Sequence, residues 1–381
     1  MKIFVIAGEP SGDLLGARLL AALKAKLGSE LELCGIAGPR MMEQGMHSLF
    51  PMSDLTLFGL AELLPKIPLI LRRMRETEAA IRAEKPDLVV TIDAPDFSFR
   101  IAKRLRGSGI KFMHYVAPTV WAWREKRAQK IQPLYQHLMA LFPFEPPYFE
   151  RVGLPCSFVG HPLVEAGIET AQPQRLRAKY DLPAGQPLLV LLPGSRRSEL
   201  NYLLPVFEQV VARLQTSVPH LRIVLPTLPH WAERMAALTV SWAIKPLIVT
   251  SDADKYDAFA AADAALAASG TVALELGLAG TPAVIAYKLH QLTYKMYRRL
   301  IKVKYANLVN IMADDMAVPE FLQDNCTAEQ ITPALVELLT SEPARQKQRK
   351  ILHMVRRWLS PEDGQTPSQK AADVVIRLAR G

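Results

Sequence analysis

Cysteine is scarce, and the three present, Cys34, Cys156 and Cys326, are widely separated. That spacing excludes a disulfide framework and the short Cys/His intervals of a zinc site, and it fits small buried hydrophobes in a reducing cytoplasm. No apolar run reaches the roughly 18 residues that cross a bilayer. No cleavable signal precedes the first strand, so the expectation is a soluble or peripheral cytoplasmic protein. The 29 prolines and 20 glycines are dispersed, and no short-period repeat occurs, which excludes low-complexity and solenoid architectures. The basic clusters carry no recognition helix, finger or aromatic ribonucleoprotein pattern, so no nucleic-acid partner is expected.

What is there is length, apolarity and positive charge. A chain of 381 residues, half of them hydrophobic, outgrows one ordinary core and reads as two domains. The net charge of +9 concentrates at Arg100 to Lys130, Lys295 to Lys304 and Arg345 to Arg357, which suits phospholipid surfaces or phosphorylated substrates.

The stretch Leu188 to Leu192, then Pro193-Gly194-Ser195-Arg196-Arg197-Ser198-Glu199, is a continuous apolar run opening into small residues and cations. A buried parallel strand enters a phosphate-handling loop in this way, with backbone N–H groups and a guanidinium for a diphosphate. An ordinary strand end with surface arginines is the alternative. Further on, the short apolar strand Ala264 to Ala268 opens into Ser269-Gly270-Thr271 and a helix carrying Glu275. N–H groups there could hold a diphosphate while Glu275 accepts from a ribose. Asp252 and Asp254 suggest a cation site, but after Ser251 they fit helix capping better.

The first half has the same grammar. A strand from Met1 to Ala7 meets Gly8-Glu9-Pro10-Ser11-Gly12-Asp13, and leucines at helical spacing follow. Glycines there let backbone approach a ligand, but the dinucleotide G-x-G-x-x-G spacing is missing, so NAD is a weak reading. The strand Leu88 to Ile92 exits at Asp93-Ala94-Pro95-Asp96. Ligands of parallel sheets sit at the carboxyl ends of strands, which makes Asp93 a candidate base, with helix capping as its alternative role. Trp121, Trp123 and Arg124 could line a sugar or acyl pocket or simply pack in a core. His114 and His161 fit satisfied core positions. Phe58 to Arg75 is apolar and closed by a basic cluster, either an interfacial element or a core helix broken by Pro65 and Pro68. Alternating strands and helices in both halves predict doubly wound parallel sheets.

Taken in order, Gly8 to Asp13, Ile92 to Phe97, Tyr115 through Arg124, Leu192 to Arg196 and Ser269 through Glu275 make the chain resemble the lipid-A-disaccharide synthases, over nearly its whole length. The resemblance implies an α/β fold of two Rossmann-like domains facing across a cleft, the GT-B class. It implies an acceptor-binding domain at 1–170 with a membrane-facing element, a UDP-sugar-binding domain at 171–355, and a terminal helix at 356–381 returning to an N-terminal domain. The implied reaction is inverting and metal-independent, without cofactors: UDP-2,3-diacylglucosamine and 2,3-diacylglucosamine 1-phosphate (lipid X) give a β-1,6 disaccharide and UDP. By resemblance, Asp93 is the base and Arg196 the essential arginine. Gly194, Ser195, Arg196, Ser269, Gly270, Thr271 and Glu275 bind nucleotide. Gly8, Glu9, Ser11, Gly12, Asp13, Trp121 and Arg124 bind acceptor. The implied partners are the two lipids, the cytoplasmic face of the inner membrane and a second copy in a homodimer. The chain departs from the family pattern at Ala117-Pro118-Thr119, where serines usually flank the proline. A UDP-sugar epimerase or hydrolase, or a nucleotide- or lipid-binding regulator, remain the rival readings.

Overall fold

The computed structural model describes all residues except 56–59, 123–124, 292–293 and 295–302, and the side chains of 60–66 lie outside the description as well. The chain divides into two compact units, Met1–Pro162 with Leu359–Gly381, and Leu163–Trp358.

The first unit is built on six parallel strands: β1 (Lys2–Ala7), β2 (Glu32–Ile36), β3 (Leu88–Ile92), β4 (Phe112–Tyr115), β5 (His137–Ala140) and β6 (Cys156–Phe158). Their order is β2-β1-β3-β4-β5-β6. Every side chain of β3 is buried, as a strand covered by helices on both faces requires. The helix Pro10–Leu27 starts with proline at its first turn, where a missing N–H costs nothing, and buries Leu15, Leu19, Leu20, Leu23 and Leu27 at helical spacing. The final helix, Pro367–Arg380, has a capping box between Thr366 and Gln369 and buries Ala371, Ala372, Val374 and Val375. It packs on the Pro10–Leu27 helix, with Lys26 and Asp373 paired at 2.8 Å. The Leu60–Glu84 helix runs unbroken through Pro65 and Pro68. The apolar element expected at Phe58 to Arg75 is therefore helical from Leu60 onward, and Phe58 and Gly59 lie outside the described residues. Ile67 and Leu71 are 39% and 41% exposed while Met74 is buried, so the helix shows part of its apolar side to solvent.

The second unit holds β7 (Leu188–Leu192), β8 (Arg222–Pro226), β9 (Leu247–Val249), β10 (Ala264–Ala268), β11 (Ala283–Tyr287) and β12 (Glu320–Leu322). All are parallel, in the order β12-β11-β10-β7-β8-β9. All five side chains of β7 and all five of β10 are buried, which explains their unbroken apolar runs.

Each sheet reverses its winding once, between β1 and β3 in the first unit and between β7 and β10 in the second. At such a point the loops leaving two neighbouring strands diverge, and a crevice opens beyond their carboxyl ends. The Gly8 and Asp93 loops flank the first crevice. The Gly194 and Ser269 loops flank the second.

Candidate functional site

In the second unit this crevice is a cleft of about 530 Å³ lined by Gly194, Ser195, Arg196, Ser269, Gly270, Thr271 and Glu275, together with Glu199 and Lys255. All seven residues expected on the nucleotide side thus meet in one place. Gly194 has φ +103°, which disfavours a side chain, and a Cβ there would stand 2.4 Å from the Glu199 carboxylate. The expectation that this loop offers free N–H groups needs correcting. The Glu199 carboxylate accepts from the Ser195 and Arg196 N–H groups at 3.1 and 3.2 Å and from the Arg196 guanidinium at 3.3 Å. Glu199 sits at the third position of the Arg197–Ser217 helix and reaches back to the N–H of Arg196, just before it. It occupies the loop's donors and steadies Arg196, whose side chain remains 79% exposed.

The opposite loop spends part of its donors on itself. At the start of the Val272–Ala279 helix the Ala273 and Leu274 N–H groups donate to the Gly270 and Thr271 carbonyls at 3.2 and 2.9 Å, and the Thr271 hydroxyl makes no cap, which leaves the Val272 N–H as the helix's uncommitted donor. The Ser269 hydroxyl donates to the Ala306 carbonyl at 3.0 Å and is committed to the fold. Glu275 lies one turn on, its side chain only 16% exposed, with the Lys255 ammonium 3.3 Å away. Burial pushes the Glu275 pKa above the ordinary carboxylate value, and Lys255 opposes that shift. Burial works against the Lys255 ammonium too, but Glu275, Tyr256 and Asp252 outweigh it and hold its pKa above the usual value. Ser251 caps the Asp252–Ala261 helix by accepting from the Asp254 N–H, and Asp254 pairs with Lys179 at 2.8 Å. Among the described residues no group of three or more His, Cys, Asp or Glu could hold a metal ion.

In the first unit the turn after β3 is strained: Asp93 and Ala94 have φ +53° and +43°, a left-handed pair that non-glycine residues adopt at a cost. The Asp93 N–H donates to the Tyr115 carbonyl, and the Ser98 hydroxyl donates to the Asp93 carbonyl. These bonds fix the turn. The Asp93 carboxylate does not cap the next helix. It is half-buried and accepts from the Ser11 hydroxyl at 2.9 Å, held by one donor and available for a second. Burial, followed by the nearby Asp93 and Asp96, raises the Glu9 pKa. A groove of about 430 Å³ adjoins this turn, walled by Ile67, Ile70, Leu71, Met74 and Phe97 and rimmed by Glu9, Asp96 and Arg100.

Several residues expected to contact the acceptor have partners in the scaffold. A Cβ on Gly8 would lie 2.7 Å from the Ala94 side chain, and one on Gly12 would lie 3.2 Å from the Ile92 carbonyl. These glycines admit the strained turn. Asp13 is 3% exposed and accepts from the Arg40 and Met41 N–H groups, each at 3.0 Å, satisfying the start of the Pro39–Glu43 helix. The Trp121 indole donates to buried Glu145 at 3.1 Å and meets Phe144 edge-on. Arg124 lies outside the described residues. His114 and His161 are buried, with pKa values lowered to about 3 and about 4. Burial is the cause in both, helped by Arg127 at His114.

Sequence reasoning missed Glu199 and Lys255. Glu199 had a local signal, an acidic residue at the third position of a helix. Lys255 had none, because its partner lies 20 residues away.

Two parallel sheets, each with its crevice at a winding reversal, define a chain of two Rossmann-like domains of the GT-B class. UDP-N-acetylglucosamine 2-epimerase from Neisseria meningitidis, solved bound to UDP-N-acetylglucosamine, aligns with a TM-score of 0.64 over all of both chains at 11% identity. MurG from Acinetobacter baumannii aligns at 0.59 over 99% of each chain at 16% identity. At such identities the likeness is one of fold. Sequence goes further: the family model for lipid-A-disaccharide synthetase matches residues 3–374. The lipid-A-disaccharide synthase of Rhodospirillum centenum is 52% identical over 99% of this chain and 94% of its own. That of Gluconobacter oxydans is 44% identical, with 99% and 90% covered. The chain belongs to the lipid-A-disaccharide synthase family, the glycosyltransferases of the condensation step in lipid A biosynthesis.

Proposed function

We propose that the chain joins UDP-2,3-diacylglucosamine to 2,3-diacylglucosamine 1-phosphate through a β-1,6 linkage, with the first unit binding the acceptor and the second the donor. The observation that carries this reading is the cleft between the β7 and β10 loops, where Arg196, a helix start without a side-chain cap and a half-buried Glu275 converge. UDP fits that chemistry: diphosphate against the helix start and Arg196, ribose hydroxyls against the Glu275 carboxylate.

In the reaction Asp93 takes the proton of the acceptor's 6-hydroxyl as that oxygen attacks the donor's anomeric carbon. A carbon–oxygen bond forms, the bond to the diphosphate breaks on the opposite face, and UDP departs with the electron pair. Removal of the proton by a placed carboxylate contributes roughly 100- to 10,000-fold. Arg196 and the start of the Val272–Ala279 helix, through the Val272 N–H and the helix dipole, stabilise charge as it grows on the leaving diphosphate. Ser11 orients Asp93, and Glu9 stands beside it at the mouth of the apolar groove, which takes acyl chain. Because both substrates are diacylated, the chain works at the cytoplasmic face of the inner membrane. Among the described residues no helix is long and apolar enough to cross it.

The test is UDP release. It is expected only when both lipids are present, and no release from the pair would overturn the reading. Conversion of UDP-N-acetylglucosamine without an acceptor would favour an epimerase.

A further inference from the structure

A second groove, of about 420 Å³, runs along the other side of the Pro95–Arg104 helix. Its floor is apolar, formed by Phe99, Ile131 and Leu134, and its rim carries Arg100, Lys103, Arg106, Arg127 and Lys130. The Arg127 guanidinium lies over the Phe99 ring, 5.1 Å from its centre. Arg104, on the same helix, faces away from the groove's lining and pairs with Glu78. Among the described residues no ion pair forms at Arg100, Lys103, Arg106 or Lys130. Five cations against one carboxylate, Asp96, line the groove, and like charges so gathered repel one another, a cost that a bound anion reduces.

The groove's position identifies the anion. Pro95, Asp96 and Arg100 line both this groove and the apolar one beside Asp93. Asp96 and Arg100, four apart on one helix, have Cβ atoms about 5–6 Å apart, a separation that one sugar ring can bridge. A hexose whose 6-hydroxyl lies at Asp93 and whose ring follows this shared edge brings its opposite end, the anomeric carbon, to Arg100. We propose that this basic groove binds the phosphate monoester of the acceptor lipid, with Arg100 at its head and Lys103, Arg106 and Lys130 behind it. The proposal rests on the acceptor reading above and adds the group that tells acceptor from donor: a monoester enters here, whereas the donor's diphosphate enters the second unit's cleft.

The experiment compares wild type, Arg100→Ala, Arg100→Lys and the double variant Lys103→Ala/Lys130→Ala on diacylglucosamine 1-phosphate and on the same lipid without phosphate. Wild type is expected to prefer the phosphorylated acceptor by roughly ten- to a hundredfold in KM, the range of charge-assisted contacts. Arg100→Ala and the double variant should lose most of that preference with kcat and donor KM unchanged, and Arg100→Lys should keep part of it. An equal rise in KM for both acceptors, or a preference that survives, would overturn the proposal. Sedimentation with phosphatidylglycerol vesicles separates the other source of phosphate: variants that lose vesicle binding but keep the acceptor preference would give the groove to the bilayer and reject the assignment. If wild type turned over neither acceptor, the proposed function would fail on its own. Direct titration of the phosphorylated lipid would still decide the groove, with weaker binding in the variants supporting it and equal binding rejecting it.

Discussion

Replacing Lys255 with methionine keeps most of the side chain's volume and removes the cation from Glu275. At 3.3 Å and an effective dielectric of 20, the pair's attraction is about 5 kcal/mol. Breaking a fully buried pair costs about 3–5 kcal/mol. Here the two side chains keep 22% and 16% of their exposure, so water offsets part of the loss and about 2 kcal/mol is expected. For a unit of this size that lowers Tm by roughly 4–8 °C. The second consequence appears in ligand binding. Burial already raises the Glu275 pKa, and Lys255 opposes it. Without Lys255 the carboxylate takes up a proton at higher pH and stops accepting from a ribose. Titrated with UDP, Lys255→Met should therefore bind more weakly than wild type at the acid end of the titration and recover as pH rises, whereas Glu275→Gln should be weak at every pH. A Lys255→Met protein with wild-type Tm and wild-type UDP affinity across that range would refute this account of the pair.

Gly8→Ala should lower kcat by displacing the Asp93–Ala94 turn, since the new Cβ meets Ala94 at 2.7 Å. Adding Ala94→Gly removes the obstructing atom and suits φ +43°, so the double variant should recover activity; a double variant no better than the single would contradict the steric cause. Acid should destabilise the first unit through its histidines. Because the folded-state pKa values of His114 and His161 fall to about 3 and about 4, the unfolded chain binds the extra protons. Their stabilisation is complete above about pH 6.5 and is lost as pH falls, by about 1.4 kcal/mol per pH unit for each group. Unfolding free energies between pH 7 and 4 should show that slope, reduced by about half in His161→Phe; an unchanged slope would rule His161 out. Arg196→Ala should lose both rate and UDP affinity, because its guanidinium serves ground state and transition state alike, and wild-type behaviour in either would reject that double role.

The strands β3, β7 and β10 were legible because parallel strands buried on both faces leave uninterrupted apolar runs. The loops following them were legible because strand exits of such sheets carry ligands. Local sequence does not reveal which polar groups the fold consumes. Gly8 answers to Ala94, Asp13 to the backbone at Arg40 and Met41, and the Gly194 loop to Glu199. Asp13 looked available because it follows a glycine loop, and only the return of the chain at Gly38 shows that it is spent. The loop after β7 held the reverse lesson. Its glycine reads as room for a phosphate, whereas the room is filled by a carboxylate from the same helix. The prolines at 65 and 68 suggested a break, but the Leu60–Glu84 helix continues through them.

The central claim is that Asp93 is the proton acceptor in a chain whose nucleotide site is complete without it. The most direct measurement is kcat of Asp93→Asn with both lipid substrates, beside the Kd of UDP for the same protein. The account predicts a kcat lower by roughly 100- to 10,000-fold with UDP affinity unchanged. A kcat within a few fold of wild type would contradict it.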